Sequence, residues 1–181
     1  MRVKEASDAV RKAVIYQINL RVFTKKGTIA AAEKYLPDVV ATGADIVYLC
    51  PFTESDDDPT QEYWSTRQRR SGCMNPRNPY RVMDYFKIDP EYGTLGDFKS
   101  FVKAAHKLNL KVMMDLIYMH AGPTFGKKFP QFVKHDADGK PLLNSYNFCT
   151  IDFDAPELRE HLWENMLYFV TECDIDGYRC D

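Results

Sequence analysis

Thr94-Leu-Gly-Asp-Phe-Lys-Ser-Phe-Val-Lys-Ala-Ala-His-Lys-Leu108, followed by Lys111-Val-Met-Met-Asp-Leu-Ile-Tyr118, is the stretch that decides the fold. The first segment opens with Thr94 and Asp97 in a capping-box pattern, then places Phe98, Phe101, Val102, Ala105 and Leu108 at helical spacing. The second is a short apolar run with one charge inside it, Asp115, and reads as a buried strand. An amphipathic helix feeding a continuously apolar strand is the repeating unit of parallel α/β architecture.

The alternation continues in both directions. Residues 13–18 form a strand, and residues 28–42 a helix with Ile29, Ala32, Leu36, Val39 and Val40 on one face and Gly43 as its stop. Residues 46–50 form another buried strand, closed by Pro51. Downstream, Asp154-Ala-Pro-Glu157 starts a helix whose apolar face is Leu158, Leu162, Met166, Phe169 and Val170, and residues 175–181 form a fourth strand. Four β units and three helices, with no sequence repeat, predict parallel strands joined by right-handed crossovers. Two long irregular stretches, 53–81 and 121–153, each follow a strand and so belong at the carboxyl end of the sheet, where such proteins build their sites. The pattern fits either the first half of an eightfold barrel or a small doubly wound sheet.

Composition narrows the function. The 181 residues carry 24 Lys+Arg against 26 Asp+Glu, a net charge of −2 that gives no footprint for nucleic acid. No apolar run reaches the ~20 residues of a membrane span, and 13% aromatic content argues against disorder. The first residues contain no apolar leader segment, so a cytoplasmic location is expected. Cys50, Cys73, Cys149, Cys173 and Cys180 are scattered and odd in number, consistent with free thiols. Gly122-Pro-Thr-Phe-Gly126-Lys-Lys128 has neither the spacing nor the Ser/Thr of a phosphate loop, and no nucleotide cradle is visible.

Charges at strand ends carry the chemistry. A carboxylate within a buried strand is unfavourable by several kcal/mol unless paired, so Asp115 calls for a partner. Arg179, in the neighbouring strand segment Asp176-Gly-Tyr-Arg-Cys-Asp181, is placed to supply one. His120 and Asp181 then lie just beyond, at the carboxyl ends of their strands. From these residues alone, a structural ion pair and a catalytic cluster are equally compatible with the pattern.

Three motifs in order carry a family resemblance. The segment from Asn78-Pro-Tyr-Arg-Val-Met-Asp through Gly93-Thr-Leu-Gly-Asp-Phe98 resembles the stretch after the second strand of α-amylase family enzymes, glycoside hydrolase family 13. Asp115-Leu-Ile-Tyr-Met-His120 resembles that family's DxxxNH region, and Gly177-Tyr-Arg-Cys-Asp181 its GxRxD region. Ile15-Tyr-Gln-Ile-Asn-Leu-Arg-Val-Phe23 is similar to its first strand, so the likeness runs from about Val14 to the last residue. The resemblance implies one domain over residues 1–181: the first half of a TIM-type (β/α)-barrel with long loops after its second and third strands, residues 121–153 forming a reduced inserted loop. It implies retaining chemistry at α-glucosidic bonds of starch-like or maltooligosaccharide substrates, with Asp181 as nucleophile and Arg179 holding it ionised. His120 and Tyr80 would bind the reacting sugar, and Asp115 would support the site structurally.

Met119 stands where the family has asparagine; a thioether is a poor partner for calcium, so no metal or other cofactor is expected. The family's general acid follows its fifth strand, beyond the four counted here, so the chain alone is expected to be inactive. Its free strand edges, with an inner face of Ile15, Val47, Met114 and Tyr178, are expected to make it self-associate. A non-catalytic barrel serving as a carbohydrate-binding or partner subunit is the alternative. Glu54-Ser-Asp-Asp-Asp58 and Arg67-Gln-Arg-Arg70 read as solvated charged loops, Trp163 as helix packing, and Trp64 as a loop aromatic able to stack on a sugar.

Overall fold

A computed structural model describes residues 7–72 and 78–181; Cys73 and the first six residues, read above for a leader, fall outside them, as does the side chain of Arg67. The described elements run α1 (Asp8–Lys12), β1 (Ile15–Ile18), α2 (Leu20–Phe23), α3 (Ile29–Glu33), α4 (Leu36–Ala41), β2 (Ile46–Leu49) and β3 (Thr53–Ser55). There follow α5 (Thr66–Ser71), β4 (Val82–Ile88), α6 (Leu95–Lys107), β5 (Lys111–Leu116), β6 (His120–Ala121), α7 (Pro123–Lys128), β7 (Cys149–Thr150), α8 (Pro156–Cys173) and β8 (Gly177–Cys180). Strands β1, β2, β5 and β8 form a parallel sheet in chain order. Helical segments fill each connection, and the arrangement is part of a TIM barrel.

Register fixes which side chains share a face. Gln17 lies opposite Tyr48, Tyr48 opposite Met113, and Asp115 opposite Arg179. Ile18, Val47, Leu49, Val112 and Met114 alternate with these and are buried against the helices, beside Leu36, Phe98, Phe101 and Phe169. Fully burying each large apolar side chain here contributes about 1.5–3 kcal/mol. Tyr178 also faces the helices, donating its hydroxyl to the Met166 carbonyl of α8 at 2.6 Å. The expected inner face is therefore corrected: Val47, Met114 and Tyr178 point to the helix layer, and of the four only Ile15 shares the other face. Because strand side chains alternate, a parity choice flips the whole set.

The capping box of α6 is present, with Thr94 Oγ1 accepting from Asp97 N and Asp97 Oδ2 accepting from Thr94 N. The helix expected over 28–42 is two helices. Pro37 sits in the first turn of α4, where its missing N–H and its ring end α3 one turn earlier. The apolar face survives the break, with Ile29, Ala32, Leu36 and Val39 all buried. Gly43 follows at φ +83°, the left-handed position a helix stop requires. α8 begins at Pro156 after Ala155, without the side-chain cap expected from Asp154. Its buried face uses Asn165 and not Val170, which is 44% exposed, and Trp163 is exposed instead of packed.

The stretch 53–81 is also less irregular than expected. β3 pairs antiparallel with β4, a strand the sequence pattern did not single out, and α5 starts with a Ser65–Gln68 capping box. The acidic run is not a solvated loop: Ser55 and Asp56 are buried, and Asp58 pairs with Lys127 of α7 at 2.6 Å. Of the basic run, Gln68 is buried and Arg69 donates to the backbone carbonyls of Gln61, Glu62 and Trp64.

Candidate active site

The carboxyl ends of β5 and β8 bring three of the predicted residues into direct contact. Arg179 Nη1 donates to Asp115 Oδ1 at 3.0 Å and lies 3.1 Å from Oδ2, and it also bonds Asp181 Oδ1. The contact follows from the fold: Asp115 and Arg179 are register partners on one face of adjacent strands, and Asp181 lies two residues beyond Arg179. Asp115 is the buried anchor, its side chain fully enclosed, whereas the Arg179 side chain is 43% exposed and that of Asp181 25%.

Tyr48 on β2, whose register partner is Met113, reaches forward and donates its hydroxyl to Asp115 Oδ2. The result is a row of groups, Tyr48–Asp115–Arg179–Asp181, crossing three strands. Burial pushes the Asp115 carboxyl up, while the hydrogen bonds from Tyr48 and Arg179 oppose that shift. Its bond to Asp115 holds the Arg179 guanidinium above its ordinary range. Arginine stays charged throughout, so the direct contact favours an ionised Asp115 against its desolvation. Tyr48 was not singled out in the sequence, since a tyrosine in an apolar strand carries no signal of its own; burial and the bond to Asp115 raise its phenol.

His120 lies on β6, which pairs with β7 so that His120 faces Thr150. Its ring stacks on Phe148 at 4.7 Å and 24°, and its Nε2 is buried without a hydrogen-bond partner among the described residues. Burial lowers its pKa, and the charge of Asp181 pulls the other way. The backbone turn before it is held by Tyr85, whose buried hydroxyl donates to the carbonyls of Ile117 and His120 at 3.1 and 3.2 Å. Asn165 of α8 ties this turn down, donating to the Tyr85 carbonyl at 2.7 Å and accepting from the Tyr118 hydroxyl at 2.6 Å. A buried asparagine with both amide ends engaged explains the polar residue on the apolar face of α8.

Tyr80 follows a turn in which Asn78 Oδ1 accepts from its backbone N–H at 3.1 Å. It lines an open groove of about 540 Å³ with Gln17, Asn19, Val22, Phe23 and Cys50 from the carboxyl ends of β1 and β2. Burial raises its phenol, with the negative charge of Asp115 adding to the shift. Asp56 locks the two long loops together, accepting from Thr124 N at 2.6 Å and from Thr124 Oγ1 at 3.0 Å. Gly122 packs directly on the Asp56 carboxylate, which leaves no space for a Cβ. Trp64 is half-buried and borders a second opening of about 530 Å³ with Gln61, Glu62, Arg69 and Gly72. Cys50, Cys149, Cys173 and Cys180 are free thiols.

A segment of parallel barrel with linked charges at the carboxyl ends of its strands belongs to the TIM-barrel class, whose sites are built there. The comparisons with known proteins narrow that class to glycosidases. The chain belongs to the α-amylase family: the family model described as alpha amylase, catalytic domain, matches residues 24–140. It is 27% identical over 177 residues to a malto-oligosyltrehalose trehalohydrolase of Saccharolobus solfataricus, covering 93% of this chain and 27% of that one. It is 32% identical over 123 residues to a maltogenic α-amylase of Bacillus acidopullulyticus, covering 56% of this chain and 21% of that one. Among solved structures, an α-amylase from Lactobacillus plantarum superimposes with a TM-score of 0.82 at 30% identity, over 95% of this chain and 39% of that one. The chain thus spans about a quarter of the length of the curated relatives it matches.

Proposed function

We propose that these residues carry the nucleophile side of a retaining α-glucosidic site. Asp181 attacks the anomeric carbon of an α-linked glucose, the glycosidic oxygen leaves, and a glycosyl ester on Asp181 results. Arg179 keeps the attacking carboxylate ionised and oriented, and Asp115 and Tyr48 hold the guanidinium from behind. Tyr80 and His120 bind the reacting sugar. Maltooligosaccharides or starch-like glucans are the substrate class, by analogy with the relatives named above. The linked contacts among Asp115, Arg179 and Asp181 are the observation that carries this reading.

Protonation of the leaving oxygen needs a carboxyl about 5–5.5 Å from the nucleophile on the far side of the bond. We assign that role to the strands that complete the barrel, so the 181-residue chain alone does not hydrolyse α-glucans. Calcium has no part in the scheme: Met119, at the family's asparagine position, offers only a 58% exposed thioether. A non-catalytic binding subunit needs sugar contacts but not an arginine-held carboxylate, and the presence of both Arg179 and Asp181 favours the enzyme.

A glycosyl fluoride separates the nucleophile from the missing acid, because fluoride leaves without protonation. Incubating the chain with 5-fluoro-α-glucosyl fluoride should form the C1–O bond to Asp181 as the C1–F bond breaks. Mass spectrometry of proteolysed protein should then place one glycosyl unit on Asp181, and Asp181→Asn should abolish it. Labelling elsewhere, or equal labelling of the variant, would overturn the assignment.

A further inference from the structure

Three aromatic rings stand in a near-parallel row that starts at the site. His120 stacks on Phe148 at 4.7 Å and 24°, and Phe148 on Tyr146 at 6.4 Å and 29°. His120 is half-buried, Phe148 between the two is 5% exposed, and Tyr146 at the far end is 64% exposed. The first ring belongs to the proposed sugar site; the last is a phenol ring presented to water.

The turn that carries Tyr146 is held by hydrogen bonds. Asn144 Oδ1 accepts from the backbone N–H groups of Tyr146 and Phe148 at 2.9 and 3.1 Å, and Asn144 N donates to the Phe148 carbonyl at 2.9 Å. Asn147 takes the left-handed conformation at φ 61° and donates its side-chain amide to the Trp64 carbonyl, tying the turn to the other long loop. A ring carried on backbone held this way leaves little main-chain freedom to be lost on meeting a ligand. An amphipathic aromatic suits a pyranose, whose C–H face is apolar and whose rim is hydroxylated.

We propose that Tyr146 is an outer sugar platform, binding a glucose unit of an α-glucan chain beyond the unit held by His120 and Tyr80. Phe148 is the spacer that sets the plane of both neighbouring rings. This rests on the site reading above and extends it from one sugar to a chain. It gives the loop over residues 121–153 a function, the recognition of oligosaccharide length.

Affinity of the 181-residue chain for glucose, maltose and maltopentaose, read by saturation-transfer NMR and calorimetry, tests the proposal. Tyr146→Ala should weaken maltopentaose binding about fivefold, the scale of one aromatic contact, and leave glucose unchanged. Tyr146→Phe, which keeps the ring, should bind as the native chain does, and Trp163→Ala, an exposed ring on α8, should change nothing. If Tyr146→Ala binds maltopentaose normally while His120→Ala is weakened, the platform is wrong and the site reading stands. If the native chain binds no sugar, or His120→Ala binds as well as native, the site reading falls and the platform with it.

Discussion

Replacing Arg179 with alanine tests the architecture of the site through stability. The Asp115 side chain is fully enclosed, and its polar contacts are Arg179 and Tyr48. Stripping a buried carboxylate of its cation typically destabilises by about 3–5 kcal/mol. Arg179 is 43% exposed, so solvent screens part of the interaction, and Tyr48 still donates in the variant. The expected loss near pH 7 is therefore about 2–3 kcal/mol, or about 1 M in urea midpoint at a slope of about 2 kcal/mol/M. The pH dependence carries a definite sign. Burial already raises the Asp115 pKa above its unfolded value, and losing Arg179 raises it further. In the variant the folded state then binds more protons than the unfolded chain across the window between those two values, so its stability falls as pH rises through that window. The difference from the native chain should accordingly be small near pH 4 and grow toward neutrality. Tyr48→Phe should show the same trend at about 1.5–3 kcal/mol, the value of a hydrogen bond to a charged group. Urea unfolding at several pH values measures both. A loss below about 0.5 kcal/mol, or one independent of pH, would refute the buried-anchor reasoning.

Two further outcomes concern the loops and the edges of the sheet. Burial works against an ionised Asp58, yet bonds from Lys127 and Thr60 hold its carboxyl at about 2. That stabilisation is present above the ordinary carboxylate value and lost as pH falls toward 2; Lys127→Met should raise the Asp58 pKa, read by carboxyl NMR, and move the acid transition to higher pH. An unchanged Asp58 titration would remove Lys127 from the account. Among the described residues β1 and β8 are the edges of the parallel sheet and the Tyr48–Arg179 face meets no facing strands of that sheet, and we propose that the 181-residue chain self-associates. Light scattering should give a mass that rises with concentration, whereas a monomer throughout would sink that proposal.

What the sequence determined by itself was whatever depends on neighbours along the chain. The Thr94–Asp97 cap, the spacing of Phe98, Phe101, Val102 and Ala105, and the apolar run around Asp115 are local signals, and each element forms where they stand. The need for an Asp115 partner was legible too, because a lone carboxylate in an apolar strand is unfavourable wherever the strand packs. Tertiary structure decided what depends on residues far apart in the chain. Period-two alternation is symmetric, so only the packing of α6 and α8 on the sheet sends Val47, Met114 and Tyr178 to the helices and leaves Tyr48, Asp115 and Arg179 on the other side. Tyr48 meets Asp115 across 67 residues, and Asp56 meets Thr124 across 68. Neither tyrosine nor an acidic loop residue announces such a partner locally. Charge in Glu54–Asp58 reads as solvation until a second loop folds over it, because burial is a property of the whole chain's packing.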